Sequence, residues 1–207
     1  MEYASGGSLA SLIEKSNGLP EREVRRYAKH LLLGLLHIHD SGYVHCDIKP
    51  DNVLLVPSRN SGTYVAKIAD FGLSKRRKSD PNLRGTPMYM SPEVIVDGFQ
   101  EAPSDIWALG CVVLEMLTGN PPWGSDPNWT SEELLIKIAE YWVLPNIPRG
   151  ISNDARSFLK ACFVRKPRFR FTAEMLLQHP FVSGCEDEDD HDDVEAEEEE
   201  EKLCFFF

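Results

Sequence analysis

The chain has 207 residues, 33 acidic against 22 basic, a formal net charge of −11 and a 42% hydrophobic content. That length and apolar share suffice for one well-packed domain and exclude wholesale disorder. Thirteen of the 33 acids stand in residues 186–201, leaving 20 acids against 21 bases in residues 1–185. The body is therefore neutral and lacks the excess of cations that a nucleic-acid binder needs.

In chain order, Ser8 caps a short helix through Leu9, Leu12 and Ile13 that the Asn17-Gly18 pair stops. Pro20 opens a second helix, in which Val24, Tyr27, Ala28, Leu31, Leu32, Leu35 and Ile38 recur at helical spacing, and which ends near Ser41-Gly42. Apolar runs at Val53–Val56 and Tyr64–Ala69 flank a Pro-Ser-Arg-Asn-Ser-Gly turn and read as a hairpin. Between Asp70 and Glu93 no period is sustained, and a stretch of that length inside a compact domain reads as functional. Helices resume near 104–117 and near 131–141, where Thr130 and Glu133 fit a capping box, then near 153–163 and 172–178. The fold class expected is mainly α with a small β-hairpin region.

Five cysteines without a CxxC pair read as reduced thiols, which suits the cytoplasm or the nucleus. No secretory signal opens the chain, and the apolar stretch Ile106–Leu117 is too short to span a bilayer, so no membrane role is expected. His30, His37, His39 and His179 lie on helical segments and read as packing or surface residues. Trp107, Trp123, Trp129 and Trp142 read as packing residues.

Three clusters carry chemistry: His45-Cys46-Asp47-Ile48-Lys49-Pro50-Asp51-Asn52, then Asp70-Phe71-Gly72, then Gly85-Thr86-Pro87 with Ser91-Pro92-Glu93. The first puts a base, a cation and a metal-binding amide on one loop, and the second adds an aspartate one hairpin later. Phosphoryl transfer from a magnesium nucleotide needs this set, because catalysis there is mostly positioning and charge neutralisation.

In these motifs the chain resembles the eukaryotic protein kinase family over residues 1–182. Cys46 replaces the arginine of the family's catalytic loop, and Ser91 replaces the alanine before Pro-Glu. Asp105-Ile106-Trp107 and Arg170 are similar to its later signatures. The resemblance implies the large, C-terminal lobe of a serine/threonine protein kinase, most like plant mitogen-activated protein kinase kinase kinases, that uses ATP and Mg²⁺. It implies that Asp47 accepts the substrate hydroxyl proton, that Lys49 steadies the transferred phosphoryl and that Asn52 and Asp70 hold Mg²⁺. Thr86 would hydrogen-bond the catalytic loop and floor the acceptor site. The Glu2 carbonyl and Ala4 amide would read the adenine edge above Leu54, and Glu93 and Arg170 would form a buried ion pair. Implied partners are protein substrates, a mitogen-activated protein kinase kinase among them.

Cys46 cannot pair with a phosphorylated activation loop, and Asn82 stands four residues before Thr86, where a phosphosite often lies. An activation loop ordered without phosphorylation there is therefore expected, helped by Lys75, Arg76, Arg77 and Lys78. Residues 1–207 contain no glycine-rich loop, strand lysine or partner glutamate for the nucleotide phosphates, so the small lobe is expected to be absent. The chain alone is expected to bind ATP poorly. A catalytically inactive kinase-derived scaffold is the alternative reading. Residues 183–207 read as a solvated acidic tail, with a docking site for basic partners as the sharper alternative. Cys204–Phe207 has the length of a prenylation box, but its aromatic middle and acidic approach favour an accidental apolar end.

Overall fold

The computed structural model describes residues 4–58, 62–77, 84–124, 130–140 and 142–183. Helix α1 (Leu9–Ser16) starts where the Ser8 hydroxyl accepts the Ser11 amide and stops at Asn17, which takes a left-handed conformation at φ 50°. Helix α2 (Glu21–Asp40) follows Pro20 and buries the expected stripe from Val24 to Ile38. Each large apolar side chain removed from water there contributes about 1.5–3 kcal/mol.

Two short antiparallel pairs follow. β1 (Tyr43–Val44) pairs with β4 (Lys75–Arg76), and β2 (Val53–Pro57) pairs with β3 (Tyr64–Ile68) in the register Val53 to Ile68. The hairpin is the expected one, one residue longer at Pro57 and one shorter at Ala69. The β1–β4 pair and α3 (Pro92–Asp97) fall in stretches without a periodic signal.

Helix α4 (Ala102–Thr118) is apolar nearly all round and runs through the core, as such a helix must. Gly110 on α4 lets α6 (Asn153–Cys162) approach, because a Cβ there would stand 2.6 Å from that of Cys162. Trp107 is fully buried, stacked on Trp123 with centroids 6.5 Å apart and edge-on to Phe163 at 5.1 Å. Helix α5 (Ser131–Ala139) carries the capping box of Thr130 and Glu133 as expected but ends two residues early. Helices α7 (Ala173–Leu177) and α8 (Pro180–Ser183) close the described chain. Contrary to expectation, Trp142 is 88% exposed, in the turn that follows α5. Trp129 lies outside the described residues. So do Lys78, Asn82, the acidic run and Cys204–Phe207.

The described residues are therefore mainly helical with two small antiparallel β pairs. Among them no helix is long and apolar enough to cross a membrane.

Candidate active site

The site forms between the end of β1 and the start of β2. Its central residue, Asp47, receives four hydrogen bonds. Oδ1 accepts the Thr86 amide at 3.0 Å and the Thr86 hydroxyl at 2.8 Å. Oδ2 accepts the Asn52 amide nitrogen at 3.1 Å and Lys49 Nζ at 2.9 Å. Lys49 also donates to Thr86 Oγ1 at 3.0 Å, so three expected site residues form one closed triangle. Burial pushes the Asp47 carboxyl up, but bonds from Lys49, Thr86 and Asn52 outweigh it and hold it below the usual carboxylate range.

Asn52 donates again, to the Asp47 carbonyl at 2.9 Å, which fixes its amide so that Oδ1 is turned away from Asp47. Because β2 pairs with β3, the Ala69 amide donates to the Asn52 carbonyl at 2.8 Å, and Asp70 follows directly. Asp70 is exposed and left-handed at φ 63°, with its carboxylate accepting the Gly72 amide at 3.2 Å. The hairpin register thus places Asp70 one residue beyond the partner of the Asn52 carbonyl. The described residues hold no cluster of three His, Cys, Asp or Glu that could enclose a metal. An amide oxygen and one exposed carboxylate suit Mg²⁺, which keeps waters and takes substrate phosphates as its remaining ligands.

The segment expected to meet the adenine is only partly described. Gly6 N donates to the Leu55 carbonyl at 3.1 Å and Leu55 N to the Gly7 carbonyl at 2.9 Å, so the segment from Ala4 runs beside Leu54 on β2. Leu54 is half-buried. Glu2 lies outside the described residues. Phe71 is 41% exposed and packs edge-on to the His45 ring at 5.1 Å, which places His45 as the support under Phe71.

Beyond Thr86, sequence analysis gave no role to the side chain that holds the backbone of this loop. Asp105, at the start of α4, accepts the His45 amide at 2.9 Å and the Cys46 amide at 3.0 Å, and bonds His39 Nε2 at 2.9 Å. In the sequence Asp105 stands out only as the acid of the Asp105-Ile106-Trp107 signature, opening an otherwise apolar helix, with no role assigned to it. Cys46 is thereby held at φ 72°, a conformation costing about 1–3 kcal/mol for a residue with a side chain. Cys46 is a packed residue, 8% exposed, and burial, reinforced by the Asp105 carboxylate, pushes its thiol up to about 12.

His45 Nδ1 accepts the Asp47 amide at 3.3 Å while Nε2 donates to the Ala69 carbonyl at 3.2 Å. That pairing selects the neutral ring, and burial lowers its pKa in the same sense. Gly85, at φ 107°, lies where a Cβ would collide with the Cys46 carbonyl. Its lack of a side chain is what lets Thr86 reach Asp47.

The protein kinase domain family matches residues 1–182. Mitogen-activated protein kinase kinase kinase 20 of Arabidopsis thaliana is 46% identical over 92% of the chain, which spans 57% of that relative. Mitogen-activated protein kinase kinase kinase 3 of the same plant is 39% identical over 91% of the chain, which spans 29% of it. Mitogen-activated protein kinase kinase kinase A of Dictyostelium discoideum is 37% identical over 90% of the chain, with 20% of its own length covered. The chain belongs to the protein kinase domain family.

Proposed function

We propose that the chain supplies the catalytic and substrate-binding half of a serine/threonine protein kinase. The enzyme transfers the γ-phosphoryl of ATP to serine and threonine hydroxyls of protein substrates in a signalling cascade. The observation that carries this reading is the convergence of Thr86, Lys49 and Asn52 on Asp47, with Asp70 next after Ala69, whose amide bonds the Asn52 carbonyl. In this reading the acceptor hydroxyl rests against Thr86 and points at Asp47. Its oxygen bonds to the γ-phosphorus as the bond to the β-phosphate oxygen breaks, and ADP leaves with that electron pair. Asp47, held ionised by its donors, orients the hydroxyl first and takes the proton late, in keeping with a loose transition state. Lys49 places its charge against the moving phosphoryl group.

Asn52 Oδ1 and the Asp70 carboxylate would hold Mg²⁺, which supplies charge neutralisation on the nucleotide phosphates. The Glu2 carbonyl, the Ala4 amide and Leu54 would receive the adenine. Residues 1–182 act as the large-lobe part of the kinase domain. Residues 183–207 act as an acidic tail that can meet basic partners, and the cytoplasm or nucleus is the setting. The relatives' names favour a mitogen-activated protein kinase kinase as substrate. Purified complete gene product, given Mg²⁺, labelled ATP and an inactive mitogen-activated protein kinase kinase, should label serine or threonine. Label on tyrosine only, or none, would contradict the proposal.

A further inference from the structure

A cavity of about 20 Å³ lies behind the catalytic loop, lined among others by Cys46, Asp47, Thr86, Ser91, Gln100 and Asp105. Two of its lining residues each carry a buried polar atom with no hydrogen-bond partner, Ser91 Oγ and Gln100 Oε1. Both residues are almost wholly enclosed, at 1% and 4% exposure. For Gln100 a flip of the amide offers no remedy.

Gln100 Nε2 already donates to the Arg84 carbonyl at 2.8 Å and to the Cys46 carbonyl at 3.4 Å. Turning the amide over would set its oxygen against two carbonyl oxygens, so the acceptor end stays where it is. Ser91 stands at the N-cap of α3, where a serine hydroxyl ordinarily accepts a backbone amide, yet its side chain makes no capping bond. Two buried orphans on residues lining the same cavity are rare in a folded protein unless something polar satisfies them.

We propose that this cavity binds one ordered water, hydrogen-bonded at once to Ser91 Oγ and Gln100 Oε1. The cavity exceeds the volume one water needs and is too small for a larger ligand, and two polar partners are enough to hold it. The water donates one O–H to Gln100 Oε1 and meets the Ser91 hydroxyl with its other hydrogen or a lone pair. Its place gives Gln100 two tasks. On one side the amide nitrogen joins Arg84, just before Gly85 and Thr86, to Cys46, just before Asp47. On the other the amide oxygen reaches Ser91 through the water, so the segment from Arg84 to Ser91 is fastened at both ends behind the Asp47–Thr86 contact.

The test needs no kinase activity, so it stands or falls separately from the proposed function. A high-resolution crystal structure of the complete chain should show a single solvent peak within hydrogen-bond distance of both atoms. A dry cavity, or a peak bonded to only one of them, overturns the proposal. Independently, Ser91→Ala and Gln100→Met should each lower the urea midpoint, and the double variant should lose no more than the worse single one. A shared water makes the two losses overlap, whereas losses that add show that nothing connects the two side chains.

Discussion

Arg170 meets Glu93 through two parallel hydrogen bonds, Nη1 to Oε1 at 2.6 Å and Nη2 to Oε2 at 2.9 Å, across 77 residues of sequence. Both side chains are out of solvent, and the guanidinium also lies over the Trp107 ring at 5.1 Å. The pair ties α3, which follows the segment carrying Thr86, to the far end of the helical core.

Breaking this pair from one side leaves a buried charge behind, at a cost of about 3–5 kcal/mol. Arg170→Ala should cost the most, because it strands the Glu93 carboxylate and removes donors to the Pro103 and Val164 carbonyls. Glu93→Ala should cost less, since those two carbonyls still hold the guanidinium. Replacing both together, as Glu93→Leu with Arg170→Met, should recover most of the loss. Urea unfolding of the three variants checks this order.

Gly85→Ala places a methyl group against the Cys46 carbonyl in a backbone conformation that alanine resists. Relief requires Thr86 to move off Asp47. A displacement of about 1 Å there should lower kcat about 100-fold with a smaller change in stability. Steady-state kinetics beside a thermal melt separates the two effects.

Cys46, Cys111 and Cys162 are all buried, and burial pushes each thiol up. A maleimide at pH 8 should leave these three unmodified in the folded chain and react with all of them in urea. Peptide mapping by mass spectrometry reads the result. Rapid labelling of Cys46 in the native chain would contradict its packed role.

Burial pushes the Glu115 carboxyl up, with the Tyr89 hydroxyl donating to it at 2.7 Å in opposition. A raised folded pKa means that the folded state holds the proton more tightly. The stability this provides is complete below the ordinary value of about 4.5 and is lost as pH rises through the raised value. Glu115→Gln keeps a neutral acceptor for Tyr89, so its stability relative to wild type should rise between pH 4.5 and pH 7.5. A difference that stays flat across that range would show that Glu115 does not titrate on folding.

Much of this fold is legible in the sequence because its signals are local. The α2 stripe, the Asn17 stop, the Thr130–Glu133 box and the β2–β3 hairpin each depend on residues within a few positions. Helix α3 has only six residues, too few for a period to emerge, and the β1–β4 pair joins two-residue strands more than thirty positions apart. The site divides in the same way. Asp47, Lys49 and Asn52 share one loop and are readable from spacing. Asp105, which fastens that loop from about sixty residues away, and Gln100, which clamps it to Arg84, act only through tertiary contact.

The most direct test of the proposed chemistry compares the complete gene product with its Asp47→Ala variant in transfer of labelled phosphate from Mg²⁺–ATP to serine or threonine. Both proteins should melt as folded domains, with wild type transferring label and the variant slower by at least about 100-fold. Equal transfer by the two proteins, or none by wild type, would contradict the assignment of Asp47 as the base of a protein kinase.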